Sequence, residues 1–484
     1  MINELRQKQI EYGDFQTPLD LAKRICKKLS ALGVTPDIII EPTCGIGAFV
    51  EASANQFEDA KQIIGIEVNN TYLDETKRRI QRVNQKKQIA LIQGDYFAFN
   101  WNPLIKNSSG SLLVIGNYPW VTNSQQGNIG GVNLPKKSNF KNRNGFDAMT
   151  GSSNFDISEW MLIQSVNWFR NRSGYLAMLC KTTVARKILN YLHSEKIRVL
   201  RSAIYGIDTK YYFNVSVDAC LLFCEFDECS HNYDYDVYEN LDSTKSERVG
   251  HRNGITVRDL AIYERLSDYH GHSNIKWRSG VKHDCSAVME LNKTSSGYSN
   301  GLGENIEIED TYLYPLLKGS DVANGRIDET NRYVLVTQKK VGELTKTIKD
   351  IAPRTWDYLV THENFFNERK SRIYKNNPQF SIFGVGTYTF APYKIAICSL
   401  YKKLEFQLIR PIEGKPVIFD DTVYFLSFNT EQEAKNIFDI LSSPLARDFY
   451  TSIIFWDEKR PIKISILNSL NLLHFKYGHE LKLF

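Results

Sequence analysis

Short apolar runs alternate with stretches of helical period over the first half of the chain. Ile38-Ile39-Ile40, Ile63–Val68, Ile89–Ile92 and Leu112–Ile115 are each bounded by polar or glycine positions and predict buried strands. Between and before them the period changes. Leu19, Ala22, Ile25, Cys26 and Leu29 fall on one helical face, with Pro18 near the helix start. A helix is expected after Phe49, another over Tyr72–Val83 and another over 156–170, and Gly174–Leu179 predicts a further strand. Phe213–Phe226 predicts a strand or strand pair, because Val215, Val217, Ala219, Leu221 and Phe223 alternate with polar or smaller residues. This rhythm predicts an α/β domain with a doubly wound, Rossmann-like sheet. The acidic stretch 227–250 predicts a boundary, giving domains 1–250 and 251–484. Beyond it, short strands, glycine turns and many aromatics predict a separate α+β domain of unassigned topology.

Composition narrows the class. A chain of 484 residues exceeds one compact core. At 42% hydrophobic and 24% charged it has the make-up of a soluble globular protein. No apolar run is long enough for a bilayer, and no signal peptide opens the chain, so a cytoplasmic protein without a membrane partner is expected. The eight cysteines are scattered. Cys220, Cys224 and Cys229 lie close together, but without histidines at zinc spacing, so they are expected to be reduced packing residues and no metal site is assigned. Net charge is only +5, but it is unevenly spread. Residues 101–200 hold 12 Lys and Arg against 4 Asp and Glu, residues 201–250 hold 4 against 10, and residues 364–410 hold 8 against 2. Two separate basic segments suit a polyanion; scattered solvated charge is the plainer reading.

The chemistry gathers where the predicted strands end. Glu41-Pro42-Thr43-Cys44-Gly45-Ile46-Gly47 follows the first strand, and Gly45 and Gly47 let backbone approach a ligand. Glu67 ends the second strand, 22 residues after Gly45, a spacing that suits a carboxylate taking ribose hydroxyls. Asp95 ends the third, where it suits an adenine amino group. One such carboxylate is ordinarily a helix cap; three together favour a nucleotide-like ligand. Position 50 is Val, so the G-x-G-x-x-G dinucleotide fingerprint is absent and NAD(P) is disfavoured. The fourth strand runs into Asn117-Tyr118-Pro119-Trp120. A side-chain amide oxygen and a backbone carbonyl suit the two N–H bonds of an exocyclic base amine, freeing its lone pair, while an aromatic ring stacks on the base. Such a turn also serves as a plain strand terminator.

The tetrad resembles the Asn-Pro-Pro-aromatic motif of DNA amino-methyltransferases. The motif order, from Phe15-Gln16-Thr17-Pro18 through the glycine loop, Glu67, Asp95 and the tetrad, resembles the gamma class of adenine-N6 DNA methyltransferases of type II restriction–modification systems. The likeness covers about residues 11–226 by motif; beyond that it rests on domain order and on Tyr314–Gly319, which looks like a target-recognition phrase. The resemblance implies S-adenosylmethionine as cofactor, lined by Thr17, Glu41, Cys44, Gly45, Gly47, Glu67, Asp95 and Tyr96. It implies that Asn117 and the Tyr118 carbonyl hold the target amine, that Pro119 shapes the loop, and that Trp120 and Phe213 face a flipped-out base. Phe213 reads equally as a core aromatic. Tyr118 stands where the family usually has Pro, and this departure puts the target atom in question. Double-stranded DNA is the implied partner, with a cognate restriction endonuclease encoded separately. Lys136, Lys137, Lys141 and Arg143 after the tetrad, and Arg369, Lys370, Arg372 and Lys375 with Tyr374 and Phe380 in the second domain, are the expected DNA contacts. Methylation of RNA or of a protein amide, a combined methyltransferase–endonuclease and a DNA-binding subunit without catalysis are the competing readings. No cysteine follows a proline, against ring-carbon methylation.

Overall fold

The computed structural model describes residues 15–81, 87–106, 110–120, 156–273, 275–295 and 297–472. The chain divides into two compact units, Met1–Thr256 and Val257–Phe484. The division falls beyond residue 250 because a strand, Ser246–Arg252, runs straight through that position. The acidic stretch 227–250 is therefore folded into the first unit.

Ten strands among the described residues form its sheet: β1 Ile38–Glu41, β2 Gln62–Glu67, β3 Gln88–Gln93, β4 Leu112–Asn117, β5 Gly174–Lys181, β6 Arg201–Ile207, β7 Ala219–Phe226, β8 Tyr235–Tyr238, β9 Ser246–Arg252 and β10 Ile255–Val257. Their order is β10-β9-β8-β6-β7-β5-β4-β1-β2-β3. Strands β1 to β5 are parallel, with Ile38 in register with both Gln62 and Leu112. β7 lies antiparallel between β5 and β6. β1 is buried along its whole length and β4 all but its last residue, as expected for parallel strands covered on both faces. Helix Leu19–Ala31 buries Leu21, Ala22, Ile25, Cys26 and Leu29 on one face. Helix Ile157–Asn167 is buried nearly all round, and its Asp156 N-cap accepts from Ser158 N.

The chain leaves β1 toward β2 and β3 on one side, and leaves β4 toward β5 on the other. Neighbours β1 and β4 thus flank the switch point, where ligands of doubly wound sheets bind beyond the carboxyl ends of the strands. The predicted strand Phe213–Phe226 is shorter than expected. Asp208 caps a helix, Thr209–Phe213, and Asn214 ends it with φ +53°. The Thr209 hydroxyl donates to the carbonyls of Val215 and Val217, so pairing begins only at Ala219.

The second unit is α+β. One sheet runs in the order Arg278–Ser279, Val423–Phe428, Tyr393–Cys398, Gln407–Ile409; the other runs Asn305–Ile306, Gly297–Ser299, Glu290–Thr294, Arg332–Leu335, Leu313–Leu317, Ile418–Phe419. Its longest helices are Glu431–Ser442, Pro444–Ile453 and Pro353–Thr361. No helix among the described residues is long and apolar enough to cross a membrane.

Candidate active site

The loop after β1 is built around two glycines in the left-handed region, Gly45 at φ +51° and Gly47 at φ +79°. Side chains there have no room. A Cβ on Gly45 would lie 2.3 Å from Gln16 Oε1, and one on Gly47 2.4 Å from Thr76 Cγ2. Buried carboxylates hold the loop from behind. Glu41 accepts from Val50 N at 2.9 Å, at the start of helix Ala48–Gln56. Glu67 accepts from Gly45 N at 2.8 Å and from Asn69 N at 2.9 Å. Burial raises the Glu41 carboxyl well above the usual carboxylate range; the Val50 N–H opposes this and the nearby Glu67 adds to it. Burial likewise pushes the Cys44 thiol up. Asp95 follows β3, is exposed, and accepts from Phe97 N at 3.0 Å.

The segment before helix Leu19–Ala31 joins this loop to the tetrad. Gln16 Oε1 accepts from Ile46 N at 2.9 Å, the carbonyl of Phe15 accepts from Asn117 Nδ2 at 3.2 Å, and Thr17 is buried beside them in sequence. The Asn117 carbonyl accepts from Thr43 Oγ1 at 3.3 Å, tying the ends of β4 and β1 together. Asn117 has its amide N–H engaged, but its Oδ1 is buried without a partner among the described residues. Trp120 is buried between Phe15, at 5.9 Å between ring centroids, and Phe213, at 5.3 Å edge-on; its indole N–H is likewise buried without a partner among the described residues.

Two placements were not legible in the sequence. The Tyr118 side chain, standing where the resembled family usually has proline, is fully buried and bonds Ser165 Oγ at 2.6 Å. Tyr96, expected to line the cofactor, turns its hydroxyl inward to the Met161 carbonyl at 2.9 Å and packs edge-on to Tyr118 at 5.5 Å. Gln16 and Thr76 were also missed as loop-holding residues. Gln16 sits inside the recognised N-terminal motif, whereas Thr76 and Ser165 carry no local signal.

Of the expected DNA contacts, Lys136, Lys137, Lys141 and Arg143 lie outside the described residues. Arg369 is placed differently from its exposed neighbours. Its guanidinium donates to the carbonyls of Phe366, His283 and Ser381 at 3.0, 3.2 and 2.7 Å and sits 3.7 Å from the Tyr374 ring centroid. Three of its five N–H donors are thus engaged by backbone, and the side chain is half-buried. Tyr374 and Phe380 are likewise core aromatics, not a stacking surface. Lys370, Arg372 and Lys375 are exposed. Cys220 and Cys224 are buried on β7 and Cys229 is exposed, all three as free thiols.

The cradle fits a nucleoside with a charged tail. It offers a glycine turn, carboxylates ending β1 and β2, and an exposed Asp95 after β3, around the switch point.

No protein-family model matches the chain. The type II methyltransferase M.NspV of Nostoc sp. (strain ATCC 29411 / PCC 7524) is 57% identical over 473 residues, covering 98% of each chain. Among solved structures, the type IIL restriction-modification enzyme MmeI in complex with DNA aligns with a TM-score of 0.52 at 12% identity, a likeness of fold; the match spans 96% of this chain and 66% of MmeI. A putative class I S-adenosylmethionine-dependent methyltransferase from Listeria monocytogenes aligns with a TM-score of 0.33 at 14% identity, over 47% of this chain and 67% of that one.

Proposed function

The chain belongs to the type II methyltransferases, and from that premise we propose that it transfers a methyl group from S-adenosylmethionine to the N6 amino group of an adenine flipped out of duplex DNA. The observation that carries this is Asn117 Oδ1, a buried acceptor without a partner among the described residues, at the end of β4 beside the glycine loop. An unmet acceptor in such a place is costly unless a ligand supplies the donor.

Glu67 takes the ribose hydroxyls. Its oxygens already brace Gly45 and Asn69, and a carboxylate oxygen accepts more than one hydrogen bond. Asp95 takes the adenine amine of the cofactor, and Glu41 provides negative charge toward its cationic end. When bound, S-adenosylmethionine supplies a methyl group on a positively charged sulfur. Asn117 Oδ1 and the Tyr118 carbonyl accept the two N–H bonds of the target amine and free its lone pair. Pro119 confines Tyr118 to extended geometry, which holds that carbonyl in one direction. Trp120 and Phe213 receive the extruded base; stacking, about 1–3 kcal/mol per base, offsets a flipping cost of a few kcal/mol. No residue needs to remove the proton first, because the methylated amine is strongly acidic until it loses it.

In this reading the second unit recognises the DNA sequence, and the enzyme is the cytoplasmic modification partner of a restriction endonuclease encoded separately. The test is transfer of radioactive methyl from labelled S-adenosylmethionine by the purified chain, offered duplex DNA and RNA side by side. Labelling of duplex DNA without cleavage is expected. Labelling of RNA alone, or cleavage of the DNA, favours the two competing readings.

A further inference from the structure

Beneath the tetrad lies a hydroxyl network that the chemistry above does not use. Tyr118 OH bonds Ser165 Oγ at 2.6 Å, and Ser165 Oγ donates to the Met161 carbonyl at 3.0 Å. Tyr96 OH donates to the same carbonyl at 2.9 Å and lies 3.3 Å from Ser165 Oγ. One assignment satisfies every proton: Tyr118 to Ser165, Ser165 to Met161, Tyr96 to Met161. All three side chains are buried. They come from three separate parts of the chain: the loop after β3, the loop after β4, and helix Ile157–Asn167.

We propose that Ser165 is a positioning residue, tying the Tyr118 loop that presents the target amine to the Asp95–Tyr96 loop beside the cofactor. The inference rests on the methyltransferase reading above and adds to it. Pro119 leaves Tyr118 little backbone freedom. Fixing the far end of the Tyr118 ring therefore fixes the direction of its carbonyl. Proline at this position, as in the motif the tetrad resembles, is rigid by its ring and has no hydroxyl to anchor. Here a tyrosine takes that place, and its rigidity comes from a hydrogen-bonded tether. Tyr96 completes the tether because it is joined directly to Asp95, and its ring meets Tyr118 edge-on. A serine inside a helix gains little by bonding back to its own turn, so the two tyrosines give this one its role.

The test uses the full chain, duplex DNA and S-adenosylmethionine, with Tyr118→Phe, Ser165→Ala, the double variant and Ser165→Thr. Because a misplacement of about 1 Å costs up to ~100-fold, the first two should lower the single-turnover rate roughly 10- to 100-fold. KM for DNA and cofactor affinity should stay within about twofold. The double variant should lose no more than either single one, since all break one network. Ser165→Thr, which keeps the hydroxyl, should recover most of the rate. Single-variant rates within twofold of wild type overturn the proposal, as do losses that multiply in the double variant or disappear on cooling with the folded fraction. If the wild type transfers no methyl to DNA, the underlying reading falls and this one with it. An active wild type with an indifferent Ser165→Ala overturns this inference alone.

Discussion

The two units bury charge for different ends. In the first, buried carboxylates stand at strand ends and accept from loop N–H groups: Glu41 from Val50, Glu67 from Gly45 and Asn69. In the second, basic side chains donate inward to backbone carbonyls: half-buried Arg369 to three of them, and buried Lys394 Nζ to Ala391 and Val417 at 2.7 and 2.9 Å. A carboxylate that holds a loop by its N–H groups keeps acceptor capacity for a ligand. A basic side chain that ties carbonyls of separate segments together braces the interior. On this contrast, substitutions of Glu41 or Glu67 should cost activity, and substitutions of Arg369 or Lys394 should cost stability.

Asn117→Ala is the largest expected effect. Losing one positioned polar group typically costs on the order of 10²–10³-fold in rate. Single-turnover methylation should fall at least that far while the melting temperature and cofactor affinity barely move. A variant that loses rate only because it unfolds would break the comparison.

Lys394 sharpens it from the other side. Burial lowers its ammonium to about 7 from an ordinary 10.5. Between those values the unfolded chain holds a proton that the native one lacks, so the lysine's penalty shrinks as pH rises and is greatest below pH 7. Lys394→Met removes the charge and also two hydrogen bonds. Its stability relative to wild type should therefore drop by at most ~4 kcal/mol from pH 7 to pH 10. Denaturant unfolding at both pH values reads this directly, and a flat difference would contradict the burial argument.

Glu41 should act on binding. Its carboxyl is raised in the free protein, so drawing a cationic ligand close expels a proton. Cofactor affinity should tighten as pH climbs above the ordinary carboxylate range, with proton release visible by calorimetry in two buffers. Glu41→Gln should bind roughly tenfold more weakly, as for the loss of ~1.4 kcal/mol, and without that pH dependence.

The smallest effects separate Arg369 from its neighbours. Arg369→Leu should destabilise the second unit by about 1–3 kcal/mol through its orphaned carbonyls and leave the salt dependence of DNA binding alone. Lys370→Glu with Lys375→Glu should lower the salt slope by about 2 if each lysine meets a phosphate. The reverse pattern would return Arg369 to the DNA face.

Why some of this was legible and some not follows from the range of each interaction. Strands β1 to β4 and their strand-end chemistry are local: a buried run, then glycine, proline or an acid at a set spacing. Strands β8 and β9 escaped notice because short polar strands at one side of a sheet carry little apolar alternation. Ser165 escaped notice because its partners lie 47 and 69 residues away and only the fold brings them together. Arg369 sits among exposed basic residues in sequence, and nothing local tells that its side chain turns inward to the Ser381 carbonyl. The Tyr118 carbonyl was expected from the motif; the anchoring of its phenol was not, because a proline at that position carries no hydroxyl.

The central claim is that Asn117 and Tyr118 hold an adenine amine for methylation. Its most direct test is nucleoside mass spectrometry of duplex DNA treated with the purified chain and S-adenosylmethionine. The account predicts N6-methyladenine as the modified nucleoside, absent when Asn117→Ala is used. N4-methylcytosine in its place, or N6-methyladenine formed equally well by Asn117→Ala, would contradict it.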